Sequence, residues 1–151
     1  MDAAIMNMEF ELRCPISADL ELIRALVHAH ARRGGLRGAR LEDLVIAVNE
    51  AVTNVLDHGG AAGMVIVRNS AEAVVVDIVD FAGRLSHEHL AAAKIDPTGS
   101  RGFGLWVIQH LCDRVDLEQS DQSSRLRLHM CHRSPGDCLP CPRPGQEDSR
   151  W

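Results

Sequence analysis

The chain has few aromatic residues. Phe and Trp together make up 3% of it and Tyr is absent, so it has no row of rings on which a single nucleic-acid strand could stack. Positive charge is also scarce: 16 Lys and Arg stand against 21 Asp and Glu, a net charge of −5. Binding a polyanion such as DNA rests on dense Lys and Arg, so direct contact with nucleic acid is disfavoured. A single nucleotide needs only a local set of donors and a metal. No stretch approaches the roughly 18 apolar residues of a membrane span. The start, Met1-Asp2-Ala3-Ala4-Ile5, lacks the basic segment and apolar core of a signal peptide. A cytoplasmic protein away from the membrane is expected. The five cysteines are odd in number, which fits reduced thiols better than a disulfide framework. There is no GxxxxGK[ST] phosphate loop, no internal repeat, and no second CxxC to partner Cys138-Leu-Pro-Cys141 in holding zinc.

What is present is a core. Hydrophobic residues make up 46% of 151, which suits one domain of Leu, Val, Ile and Ala. Residues 8–14 alternate apolar and polar, as a half-buried strand does, and Pro15 ends the run. Ser17 is placed to cap a helix carrying Asp19 and Glu21 in its first turn and an apolar stripe of Leu20, Ile23, Leu26 and Val27, stopped by Gly34-Gly35. A second helix is expected from about Ala39 to Asp57, with Leu41, Leu44, Val45, Val48, Val52 and Val55 on one face. The Val-rich runs 64–68 and 73–79 form a hairpin. A polar stretch follows, with a short helix near 87–94, and then an apolar helix entered through Gly102-Phe103-Gly104 and running to about Cys112. Two more strands lie near 115–118 and 126–130, joined through Ser120-Asp121-Gln122-Ser123-Ser124. Paired strands with helices between the pairs imply an α+β two-layer sandwich, a mainly antiparallel mixed sheet with helices on one face. Residues 1–132 form this domain. Residues 133–151 hold four prolines and few apolar side chains, and read as a disordered tail.

Three constellations could carry chemistry. Glu50, Asn54 and His58 recur every fourth residue and fall within about 80° of one another on a helix, opposite the Val and Leu stripe. Spacing leaves two readings open: a solvated polar face, or a carboxylate base beside an amide oxygen suited to Mg²⁺. Asp80 ends a Val-rich strand, where it serves either as turn chemistry or as an acceptor for a ligand amino group. Gly99-Ser-Arg-Gly102-Phe-Gly104-Leu-Trp-Val-Ile opens a helix, which is either an ordinary loop or a place where backbone amides meet phosphates.

In this order the three motifs resemble the GHKL ATPases. Leu41-Glu-Asp-Leu-Val-Ile-Ala-Val-Asn-Glu50-Ala-Val-Thr-Asn54-Val-Leu-Asp-His58-Gly is similar to their N-box, and more narrowly to that of the anti-sigma serine kinases of the RsbW and SpoIIAB kind. Asp80-Phe-Ala-Gly83 stands at the G1 box, Arg101-Gly-Phe-Gly-Leu-Trp-Val-Ile108 at the G2 box, and Ser123-Ser124 at a hydroxyl of the last box. The resemblance covers about residues 8–131. It departs in G1, where D-x-G is usual and Ala82 precedes Gly83; this bears on nucleotide affinity more than on fold.

The resemblance implies an ATP/ADP site with Mg²⁺. Glu50 would be the general base, Asn54 the Mg²⁺ ligand and Asp80 the partner of the adenine amino group. Gly83, Arg101, Gly102, Phe103, Gly104 and Leu105 would border the nucleotide, Ser124 would support Glu50 or Asp80, and His58 would line the pocket. It further implies an anti-sigma factor and protein serine/threonine kinase. Such a protein sequesters a sigma factor, phosphorylates a STAS-domain antagonist, and commonly dimerises. Two alternatives remain at this level: a switch kinase acting on a STAS target with no sigma factor of its own, and a GHKL binding module that has lost catalysis.

Overall fold

The computed structural model describes residues 11–57, 62–81, 103–120 and 123–132. Strand β1 (Leu12–Pro15) leads to helices α1 (Leu20–Gly34) and α2 (Gly38–Asp57), then to the hairpin of β2 (Gly63–Asn69) and β3 (Ala73–Asp80). Helix α3 (Phe103–Leu111) precedes β4 (Arg114–Gln119) and β5 (Ser124–Cys131). The strands form one five-stranded sheet in the order β1-β2-β3-β5-β4. Every pairing among them is antiparallel, so the expected α+β class is met without a parallel pair among the described strands.

Alternation along the central strands sends Val74, Val76 and Ile78 of β3 and Leu126, Leu128 and Met130 of β5 into the core beneath the helices. Helix α2 lies in the middle of the helical layer, against α1 on one side and α3 on the other. It buries Leu41, Leu44, Val45, Val48, Val52 and Val55, and also Ala47 and Ala51. Several of these are β-branched and are indifferent helix formers. Each gains about 1.5–3 kcal/mol by leaving water, so packing rather than propensity holds the helix.

Two local expectations change. Residue 19, not 17, caps α1: the Asp19 carboxylate accepts the Leu22 amide at 3.1 Å, and the Ser17 hydroxyl accepts the Asp19 amide at 3.2 Å. The carboxylate is the stronger acceptor for an uncompensated N-terminal amide. Pro15 is the last residue of β1 and lies opposite Met64. As an edge-strand residue it can dispense with an amide hydrogen. At the other end of α1, Gly35 takes the left-handed conformation with φ 115° and closes the helix as expected.

The far end of the sandwich is clasped by Arg40 in the first turn of α2. Its Nε donates to the Cys131 carbonyl at 2.8 Å and its guanidinium pairs with the Asp113 carboxylate, which also accepts the Cys131 amide at 2.7 Å. With its first turn held at the end of β5, α2 carries its last turns over the opposite ends of β3 and β5. Those strand ends are Asp80 and Ser124, which are paired in register.

Candidate nucleotide site

Under the last turns of α2 lies a small concavity lined by Ala51, Asn54, Val55, Ile78, Asp80, Ser124 and Leu126. Asn54, Asp80 and Ser124, three of the site residues expected from the sequence, thus come together on one wall and floor. Asp80 and Ser124 are buried polar side chains. Both flank the concavity.

The glycine motif reaches the same place from another direction. Gly104, in the first turn of α3, packs on α2. A Cβ placed on it would stand 2.9 Å from Glu50 Oε2 and 3.4 Å from each of the Asn54 amide atoms. Glu50 and Asn54 therefore do not lie on a freely solvated face opposite the apolar stripe. Both are partly buried, because α3 covers that side of α2. The first turn of α3 lies beside them, and the N-terminus of a helix favours anions. Leu105 turns its side chain into the core and so anchors α3. Ser124 is the first residue of β5 rather than part of the linker. His58, Gly83, Arg101 and Gly102 lie outside the described residues, as do the short helix near 87–94 and the Cys138 and Cys141 pair; of Phe103 only the backbone is described.

Two residues that shape this site were not singled out from the sequence. Ala51 lines the concavity between Asn54 and the sheet, and a larger side chain there would fill it. Gly63 pairs with Asp80. A Cβ on it would come within 2.5 Å of the Val79 carbonyl oxygen and 2.7 Å of Ile16 Cδ1, so only glycine lets β2 and β1 close up beside the aspartate. The signal for Ala51 was its place one turn after Ala47 inside a run of larger apolar residues. Gly63 carried none, because its constraint comes from Ile16 and Val79.

The donor set suits a magnesium nucleotide. The Asn54 amide oxygen and the Asp80 carboxylate are hard oxygen donors or acceptors, and Gly104, without a side chain, packs close beside Asn54. Among the described residues no three His, Cys, Asp or Glu side chains gather as a transition-metal site would require. The described thiols are Cys14, Cys112 and Cys131, all buried. Burial, with Asp113 and Asp43 adding, pushes the Cys112 thiol up to about 12, which suits an inert core residue. No described helix is long and apolar enough to cross a membrane.

Comparison with known proteins agrees with this geometry. The histidine kinase-like ATPase domain family matches residues 16–130. The serine-protein kinase RsbW of Bacillus pumilus (strain SAFR-032) is 30% identical over 124 residues, covering 72% of this chain and 76% of that protein. At the level of fold, the chain resembles a crystal structure of the SiaB–SiaC complex from Pseudomonas aeruginosa, with TM-score 0.61 and 17% identity over 85% of this chain and 93% of that one. It also resembles a structure of RsbU and RsbW domains from Mycobacterium tuberculosis, with TM-score 0.60 and 15% identity; there 80% of this chain is matched but only 32% of the longer one. The chain belongs to the histidine kinase-like ATPase domain family, and within it to the RsbW type.

Proposed function

We propose that the chain is an ATP-dependent protein serine/threonine kinase and anti-sigma factor, which holds a sigma factor and phosphorylates a STAS-domain antagonist of it. The observation that carries this reading is the meeting of Asn54, Asp80 and Ser124 at one concavity, with Glu50 and the start of α3 at its edge. A similarity to a protein named serine-protein kinase RsbW supports the choice of a protein acceptor.

In this reading Asp80 accepts a hydrogen bond from the adenine amino group, and Ser124, opposite it in the sheet, braces that end of the cleft. Asn54 holds Mg²⁺, which when bound neutralises charge on the phosphates. Glu50 takes the proton of the acceptor serine or threonine hydroxyl as its oxygen bonds to the terminal phosphorus; the bond to the bridging oxygen breaks and ADP leaves. Gly104 and the residues before it give the phosphates close access to backbone amides. Such a transfer depends chiefly on positioning and charge neutralisation, and this arrangement supplies both. Sigma factor and antagonist compete for the chain, and phosphorylation lowers the affinity of the antagonist, since only differential affinity can shift the balance between complexes.

The test is incubation with labelled MgATP and the STAS-domain protein encoded nearest to this chain. Label on a serine or threonine of that protein is expected. Calorimetry that finds no nucleotide binding at millimolar ATP would overturn the reading.

A further inference from the structure

We propose that Gly104 is a positioning residue for Glu50: the missing side chain at 104 sets where the Glu50 carboxylate lies. The inference rests on the reading of Glu50 as the base, and it assigns Gly104 a role distinct from access to phosphates.

The contact distances carry the argument. A Cβ at 104 would stand 2.9 Å from Glu50 Oε2, closer than such atoms approach any neighbour, but 3.4 Å from Oδ1 and Nδ2 of Asn54, which is tight yet tolerable. The atom that must yield is the end of a flexible side chain. An alanine at 104 therefore displaces the carboxylate and leaves helix and amide nearly where they were. Gly63 behaves in the opposite way. Its Cβ would meet the Val79 carbonyl oxygen at 2.5 Å, and backbone cannot swing aside, so that glycine protects the fold.

Backbone conformation does not call for glycine at 104. The residue lies inside α3. The glycines with positive φ among the described residues are Gly35 and Gly38, so an alanine at 104 meets no backbone strain. Glycine is also a poor helix former beside alanine. Local propensity thus favours alanine at this position, and the opposing demand comes from across the helix pair, at Glu50.

The two roles for Gly104 leave different kinetic signatures. A glycine needed for phosphate approach, once replaced by alanine, weakens nucleotide binding and raises KM for ATP. A glycine that positions the base lowers kcat and leaves nucleotide affinity alone. The experiment measures kcat, KM and the calorimetric Kd for MgATP in wild type, G104A, E50D and E50D/G104A, with the STAS-domain acceptor named above. We expect G104A to lower kcat by about tenfold to a hundredfold, the scale of an ångström-sized misplacement at a reacting group, at unchanged Kd and with an unchanged or higher melting temperature. The shorter side chain in E50D no longer reaches beneath residue 104, so adding G104A to E50D should do little more; that non-additivity is the mark of a shared contact. A raised Kd with wild-type kcat, strictly additive effects, or a melting temperature far below wild type each overturns the proposal, the last because it shows backbone giving way. Full transfer by E50Q sinks only the reading of Glu50 as the base. An unmoved side-chain carboxyl ¹³C resonance of Glu50 in G104A sinks only the positioning proposal.

Discussion

Two aspartates on β3, Asp77 and Asp80, are both buried, yet they face opposite sides of the sheet and meet opposite environments. Asp77 points to the face without helices, where Arg127 holds it through Nε at 2.7 Å and a second nitrogen at 3.0 Å, and Arg68 adds a third bond at 2.8 Å. Burial by itself would raise its carboxyl; the hydrogen bonds and charges of Arg127, Arg68 and Arg125 outweigh that and hold it below the ordinary carboxylate range. Asp80 points to the helical side and lines the concavity with Asn54 and Ser124. One carboxylate ties strands together, while the other lines the concavity. Three residues apart on an alternating strand is enough to divide the labour, because odd offsets reverse the face.

The comparison is sharpened most by Glu50, on the cleft side. E50Q keeps shape but cannot take a proton. Phosphoryl transfer to the STAS acceptor should fall by about 10²-fold or more, with melting temperature and MgATP affinity retained. Full activity would remove Glu50 from the chemistry.

On the other face the loss should fall on the fold. D77A strands Arg68 and Arg127 without their shared carboxylate. Buried pairs cost about 3–5 kcal/mol to break. The arginines are about one third exposed, so screening trims this to about 2–3 kcal/mol, read as a drop in urea midpoint. Equal stability of D77A and wild type would dissolve the contrast. D80N is the counterpart: MgATP affinity should fall by about tenfold, the worth of one good hydrogen bond to a charged group, with little change in unfolding.

Acid provides a gentler version. Because Asp77 titrates lower in the folded chain than in the unfolded one, its contribution is complete above the unfolded value of about 3.9 and is lost as pH falls through the depressed folded value. The gap in urea midpoint between wild type and D77N should be constant above about pH 5 and narrow below about pH 4. A gap that stays the same at pH 3 would mean that the arginine network adds nothing electrostatic. The smallest effect belongs to the tail: removing residues 134–151 should leave melting temperature and MgATP affinity as they were, since the segment is proline-rich and poor in apolar side chains. A clear loss of either on truncation would show that the tail contributes.

Much of this architecture was legible in residue order alone. Period-3.6 stripes marked α1 and α2, Gly34-Gly35 marked the stop between them, Val-rich runs marked the first hairpin and alternation the second, because each signal lies within a few neighbouring residues. The N-box pattern around Glu50 and Asn54 and the aspartate at the end of a Val-rich strand were legible in the same way. The partners of those residues were not. That Glu50 lies under Gly104 rather than in solvent, that Gly63 must be bare for β2 to close beside Asp80, and that Asp77 gathers Arg127 and Arg68 are facts of register and helix packing. They join residues up to 54 positions apart, 50 with 104, and local spacing holds no record of such distances. Tertiary structure decided them because a contact is set by which surfaces must meet to bury the apolar stripes, and the polar atoms beside those stripes are carried into place by that packing.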